Sequence, residues 1–332
     1  MPRKRTGTRT GTGMVIGLLS AAILAFGACS RTVADPVPGK QSPEHVSPAN
    51  LYDESADGEA QIATAIKRAA SKNKRVLLMF GANWCGWCHK LHDLFESDRE
   101  VARILLYEYE LVLIDIGRWD KHMDIAKRYG AALDKTGVPF LVVLDSDGQP
   151  VTTQETGSLE EGDHHNAEKV KSFLNKWKPT PQDANRLFEA ALKHATEHDK
   201  KVFLHFSAPW CGWCRELERF LAGAEVSAIM ARDYVDLEID VDRMAKGKAM
   251  ERSFHPAEDG GIPWIAVFDN KGKVQATSDG PDGNIGFPVE PKEIAHFIDM
   301  LTKTAQHNGA AEIGRIKTLL QRNARRIKST NH

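Results

Sequence analysis

The 332-residue chain is 42% hydrophobic and 27% charged, enough apolar material for two cores of ordinary domain size rather than one. Its 44 Lys and Arg nearly balance 45 Asp and Glu, for a net charge of -1, so nothing in the overall balance points to nucleic acid or an acidic polymer as partner, and partner choice rests on local surfaces. Of five cysteines, four fall in two Cys-x-x-Cys pairs, which leaves Cys29 alone.

In chain order, Arg3, Lys4, Arg5 and Arg9 precede the apolar segment Met14 to Phe26, and small residues Gly27 and Ala28 stand before Cys29. A basic start, an apolar centre and a small-residue end form a secretory signal pattern, here 1–29. The 13 residues of the apolar stretch fall short of the roughly 17 to 25 needed to span a bilayer. Gly27-Ala28-Cys29 resembles the lipobox of bacterial lipoproteins, which implies cleavage before Cys29 and its acylation. Phe26 departs from the usual leucine, and cleavage after Ala34 is the alternative. The expected location is the bacterial periplasm or cell envelope, with membrane contact through the lipid anchor or signal segment. Disulfides persist in such a compartment.

Residues 30–50, with Pro36, Pro38, Pro43 and Pro48, read as an extended tether. A second break, Lys178-Pro179-Thr180-Pro181, divides the remainder into domains at 51–178 and 179–306, followed by a basic helix or tail at 307–332. In the first half, the spacing predicts a helix from Glu59 to Ala70, a buried strand from Arg75 to Phe80 and a helix from the first cysteine pair to about Glu96. A strand over Leu111 to Ile116 follows, then a helical stretch near Asp120 to Tyr129. Gly137-Val138-Pro139-Phe140 leads into a strand ending at Leu144, a turn at Asp145 to Gly148, another strand and a helix ending near Trp177. The second half repeats the series: helix Ala184 to His198, strand Val202 to Phe206, the second pair, strand Val235 to Asp240, Gly261-Ile262-Pro263-Trp264, a strand to Phe268, a turn, another strand and helix Pro291 to Lys303. A repeat of about 126 residues fits one compact domain per copy.

Trp84-Cys85-Gly86-Trp87-Cys88 and Trp210-Cys211-Gly212-Trp213-Cys214 each follow an apolar strand. Two cysteines separated by two residues at a helix start close a disulfide across one turn, and the helix N-terminus favours a thiolate on the first sulfur. With Val138-Pro139 and Ile262-Pro263 about 50 residues downstream, the chain resembles two tandem members of the thioredoxin superfamily. The implied fold class is α/β, a central mixed sheet flanked by helices, twice. The implied activity is protein thiol-disulfide oxidoreductase, exchanging with protein thiols and disulfides and with an upstream electron donor or acceptor protein. The resemblance also implies cis bonds before Pro139 and Pro263, with the main chain of Val138 and Ile262 open to a client strand.

Cys85 and Cys211 are the candidate attacking thiolates, and Cys88 and Cys214 the resolving ones. Trp84 and Trp210 either shield the site or belong to the core. The family commonly carries a buried acid six residues before the first cysteine; this chain has Met79 and His205 there. Histidine holds a proton near neutral pH and methionine does not, so His205 is the proton-transfer candidate of the second site.

Three other readings are open to the same residues. Cys85-Gly86-Trp87-Cys88-His89 also satisfies the pattern for covalent haem, although the second copy has Arg215 in place of the histidine. A four-thiolate zinc site needs its pairs closer together than these, and His164-His165 and the scattered histidines show no ligand spacing. A redox-inert binding module leaves both cysteine pairs without a task. No metal or cofactor is expected. The stretch Ile313 to Lys328, with Arg315, Lys317, Arg322, Arg325, Arg326 and Lys328, reads as a basic helix that is either solvated or laid on anionic lipid.

Overall fold

The computed structural model describes residues 50–256 and 261–330. The signal, the lipidation candidate Cys29 and nearly all of the tether lie outside these residues. No helix among the described residues is long and apolar enough to cross a membrane.

The first lobe opens with α1 (Gly58–Ser71), capped by Asp57, whose carboxylate accepts from the amides of Glu59 and Ala60. Then come β1 (Arg75–Gly81), α2 (Gly86–Ser97), α3 (Arg99–Glu108) and β2 (Tyr109–Asp115). Two short helices, α4 (Met123–Arg128) and α5 (Leu133–Thr136), lead to β3 (Phe140–Leu144) and β4 (Pro150–Glu155). A small hairpin, β5 (Glu160–Glu161) and β6 (His164–His165), precedes α6 (Ala167–Trp177). The sheet order is β2-β1-β3-β4, with β2 parallel to β1 and β3 antiparallel to it.

The second lobe repeats this order. It runs α7 (Ala184–Glu197), β7 (Lys201–Ser207), α8 (Gly212–Leu221), α9 (Ala224–Asp233), β8 (Tyr234–Asp240), α10 (Gly247–Phe254), β9 (Trp264–Phe268) and β10 (Val274–Thr277). The hairpin β11 (Asp279–Gly280) and β12 (Gly283–Asn284), then α11 (Pro291–Thr304) and α12 (Ala310–Thr330), complete it. Its sheet order, β10-β9-β7-β8, mirrors the first.

Both central strands are buried on two faces, which explains their unbroken apolar runs. Because successive side chains alternate, Val76, Leu78 and Phe80 pack with Ile62 and Ala69 of α1, while Leu77 and Met79 pack with Leu91, Phe95, Val101 and Phe173 on the opposite side. The second sheet sorts its residues in the same way: Val202, Leu204 and Phe206 lie towards α7, and Phe203 lies towards α8 and α11.

Three features depart from the sequence reading. Helices α3 and α9 follow the dithiol helices as separate elements, the first started by Asp98, whose side chain accepts from the amides of Glu100 and Val101. The second domain does not close at 306. Ile313, Ile316, Leu320, Ala324 and Ile327 of α12 stand three or four residues apart and are buried in the same core as Phe203, Phe297 and Leu301. The basic side of that helix meets acids of its own lobe: Arg315 Nη2 lies 2.9 Å from Glu225 Oε2, Arg326 Nη2 2.9 Å from Glu216 Oε2 and Lys328 Nζ 2.8 Å from Glu290 Oε1.

The two lobes belong to one compact unit. Arg243 of the second donates to the carbonyls of Lys72 and Asn73 at 2.7 Å each and meets Glu108 Oε2 at 3.2 Å. Asn73, just past the C-cap of α1, turns with φ +48°. In return Lys72 Nζ reaches into the second lobe, 2.9 Å from Glu218 Oε2 and paired with Glu238.

Candidate active site

In each lobe the buried central strand ends in a short loop, and the first cysteine caps the helix that follows. Cys85 (φ -86°, ψ 100°) caps α2 and Cys211 (φ -76°, ψ 105°) caps α8. The amide of Cys88 donates to Cys85 Sγ at 3.1 Å and that of Cys214 to Cys211 Sγ at 3.0 Å. An amide aimed at the first sulfur, at the positive end of a helix, favours its thiolate. Both pairs are closed as disulfides, with Cα atoms 5.2 and 5.3 Å apart. The first residue of each pair retains slight exposure, 5% for Cys85 and 4% for Cys211, while Cys88 and Cys214 are sealed at 0% and 1%.

The Val138–Pro139 and Ile262–Pro263 peptide bonds are cis. The carbonyl oxygen before each proline lies next to the outer sulfur, Val138 O 3.6 Å from Cys85 Sγ and Ile262 O 3.4 Å from Cys211 Sγ. Side chains hold both prolines from behind: Thr156 Oγ1 donates to Pro139 O at 2.8 Å, and Asn284 Nδ2 to Pro263 O at 3.0 Å.

Trp84 and Trp210 are 46% and 59% exposed, which places them at the rim of their sites and not in the core. Trp84 Nε1 donates to Gly117 O at 2.6 Å, with Trp119 beside it at a ring distance of 6.1 Å; Trp210 Nε1 donates to Asp242 Oδ2 at 2.8 Å. The tryptophans within the motifs also differ in setting. Trp87 is half-buried, with the His165 ring edge-on at 5.3 Å and Lys90 Nζ 4.5 Å from its centre, whereas Trp213 is exposed and stacks on Phe287 at 6.4 Å. Trp213, Ile262, Pro263, Ile285, Phe287 and Ile327 line a groove of about 750 Å³ beside the second dithiol.

His205 is 2% exposed, with Nε2 3.3 Å from Asp236 Oδ1. Burial pulls its ionisation down, but Asp236, helped by Glu238 and Glu218, outweighs this and leaves it above the ordinary histidine value. Glu218 stands one turn beyond Cys214 on α8 and accepts from Ser207 Oγ at 3.0 Å. The second site is therefore backed by a charged cluster of His205, Glu238, Glu218 and Lys72. The first has Met79 paired in register with Leu113 at the corresponding place. Sequence reasoning missed Glu218, Glu238 and Lys72; comparison of the halves at the repeat spacing, which puts His92 opposite Glu218, was the available signal.

His89 Nε2 lies 2.9 Å from Asn83 O, within its own loop, and the two cysteine pairs sit in separate lobes. The histidines do show one cluster that the sequence reading did not: His194, Glu197 and His198, all exposed near the end of α7, bring ligand-type atoms within 4.8 Å of one another.

Two four-stranded mixed sheets, each with a dithiol at a helix N-terminus and a cis-proline beside it, define a tandem thioredoxin-like protein. A family model described as thioredoxin-like matches residues 57–146 and 183–270, together more than half of the chain, and the protein belongs to that family. The chain is 34% identical over 145 residues to protein disulfide-isomerase erp38 of Neurospora crassa, covering 43% of this chain and 37% of that one. It is 27% identical over 237 residues to protein disulfide-isomerase tigA of Aspergillus niger, covering 70% and 60%. The chain thus spans less than two thirds of the length of either relative. Among solved structures, a disulphide isomerase from Xylella fastidiosa Temecula1 matches at 30% identity, 38% of this chain, 95% of that one and a TM-score of 0.35.

Proposed function

We propose that this protein is a thiol-disulfide oxidoreductase that exchanges disulfides with client polypeptides through both pairs, in an exported, envelope-facing compartment. The observation that carries the reading is the same in each lobe: an outer sulfur that receives an amide hydrogen bond beside a main-chain carbonyl, and an inner sulfur sealed behind it. A client thiolate attacks Cys85 or Cys211, the internal disulfide opens, and its electron pair leaves on Cys88 or Cys214. The sealed thiolate then attacks Cys85 or Cys211 and expels the client thiolate, or a second client thiolate attacks the client's own sulfur, closing the client disulfide and leaving the electron pair on Cys85 or Cys211. The main chain at Val138 and Ile262 offers the client a strand partner next to the reacting sulfur. The relatives' designation as protein disulfide-isomerases supports the same chemistry.

Export is inferred from the basic start, the apolar Met14 to Phe26 and the small residues before Cys29. The exchange reading is tested by equilibrating the full chain with glutathione and scoring each pair by alkylation. Both pairs are expected to cycle, and a chain whose disulfides resist glutathione overturns it. Palmitate labelling that is lost in Cys29→Ser tests the anchor, with a free soluble chain as the contrary result.

A further inference from the structure

The two lobes differ most in what stands beside the sealed sulfur. Gly81 of β1 occupies the place that Ser207 holds in β7. A Cβ on Gly81 would come 2.2 Å from Tyr52 Oη and 2.6 Å from Cys88 Sγ, so phenol and sulfur both border the space this glycine leaves. Tyr52 is 1% exposed, and its hydroxyl has no hydrogen-bond partner among the described residues. A buried hydroxyl in that condition is costly unless some state of the protein satisfies it.

Its position is fixed from the dithiol loop itself. The amide of Tyr52 donates to Asn83 Oδ1 at 2.8 Å, and Asn83 Nδ2 donates back to Tyr52 O at 3.0 Å. Asn83 lies two residues before Cys85, so loop and phenol are held as one piece. At the repeat spacing the second lobe has Lys178 in place of Tyr52 and Pro209 in place of Asn83, and lacks the arrangement.

We propose that Tyr52 is the hydrogen-bond donor to the Cys88 thiolate, filling in the first lobe the role that Met79 leaves empty. The inference rests on the exchange chemistry proposed above. When a client thiolate bonds to Cys85 Sγ, the Cys85–Cys88 bond breaks and its electron pair leaves on Cys88 Sγ, which borders the same space as the phenol. Tyr52 keeps its proton and donates to the new charge. In the reverse step the Cys88 thiolate attacks Cys85 Sγ of the mixed disulfide, and the client departs as a thiolate. Burial, seconded by Asp115, pushes the phenol's ionisation far above the ordinary tyrosine value, so the donor persists across the working range. The charged group that acts on the phenol is Asp115, 3% exposed and 3.4 Å from Lys121 Nζ.

The test uses the full chain carrying Cys211→Ser and Cys214→Ser, so that only the first pair reports, with and without Tyr52→Phe. Opening of the first disulfide by reduced glutathione is expected to slow about tenfold, and the Cys88 thiol to ionise about one pH unit higher. The oxidised Tyr52→Phe protein is expected to unfold at or somewhat above the parent's temperature, because the buried hydroxyl it loses is unpaired there, while the reduced protein loses stability. In the companion background, Cys85→Ser with Cys88→Ser, Tyr52→Phe is expected to leave the second pair unchanged. Identical rates and ionisation with and without the hydroxyl overturn the proposal, as does an equal slowing at the second pair or failure of the oxidised variant to fold. A parent protein whose first pair does not exchange at all overturns the exchange reading instead.

Discussion

Within each pair, depth separates the sulfurs. Cys85 and Cys211 sit at helix N-termini with an amide aimed at each sulfur, while Cys88 and Cys214 are sealed beneath them. After reduction at neutral pH, brief iodoacetamide treatment is expected to label Cys85 and Cys211 at least tenfold faster than their partners, as read by peptide mass mapping. Equal labelling of all four contradicts the assignment. His205 adds a pH signature to the second site. Its ionisation is raised in the folded protein by Asp236 against the opposing effect of burial, so the stabilisation it supplies is full below the ordinary histidine value of 6.5. That stabilisation drains away as pH rises through the raised folded value. Urea unfolding of the second lobe is therefore expected to weaken upward from about pH 6.5 in the parent. In His205→Gln this slope flattens, and a parent curve that rises with pH across the same window contradicts the pairing.

At the scale of elements, α12 is the piece whose membership decides what the second domain is. Leu320 is 0% exposed and Ile316 1%, both within the core that holds Phe203 and Phe297. Leu320→Ala is expected to destabilise the second lobe by about 3 kcal/mol, the cost of a cavity in a packed core. The exposed Leu106→Ala is expected to change stability by less than about 0.5 kcal/mol. Denaturant curves followed at the second lobe distinguish the two. The central strands, both dithiols and the proline segments were legible in the sequence because each is signalled locally, by an unbroken apolar run or by neighbouring residues. The place of α12 was not. Its apolar stripe is sparse, Ile313, Ile316, Leu320, Ala324 and Ile327 among many charges, and only the tertiary fold shows that Arg315, Arg326 and Lys328 pair with Glu225, Glu216 and Glu290. Helices α3 and α9 were hidden for the opposite reason: each begins within two or three residues of the helix before it, which leaves almost no connecting loop to read. The cluster behind Cys214 was only partly legible: the repeat spacing sets Glu218 opposite His92, but its other members are far apart in the chain, Lys72 and Glu238 by 166 residues.

On the scale of the whole molecule, that cluster makes the second dithiol depend on the first lobe. Glu218 and Glu238 are about a quarter exposed, too dry for two carboxylates to lie together comfortably without a cation, and the cation is Lys72 of the other lobe. Arg243 returns the contact by holding the carbonyls that end α1. Lys72→Met removes the cation but retains most of the apolar stem, leaving the two carboxylates facing each other beside the helix that carries Cys214. With Lys72 itself a third exposed, the cost is expected at about 1–2 kcal/mol in the second lobe, below that of breaking a fully buried pair. The unbalanced negative charge also disfavours a thiolate on Cys214. In a background with Cys85→Ser and Cys88→Ser, the equilibrium of the second pair with glutathione is expected to shift several-fold toward the disulfide. The first pair, measured in the reciprocal background, is expected to keep its equilibrium in Lys72→Met. An equal shift at both pairs would mean general loosening, and no shift at the second would mean that the lysine only glues the lobes together.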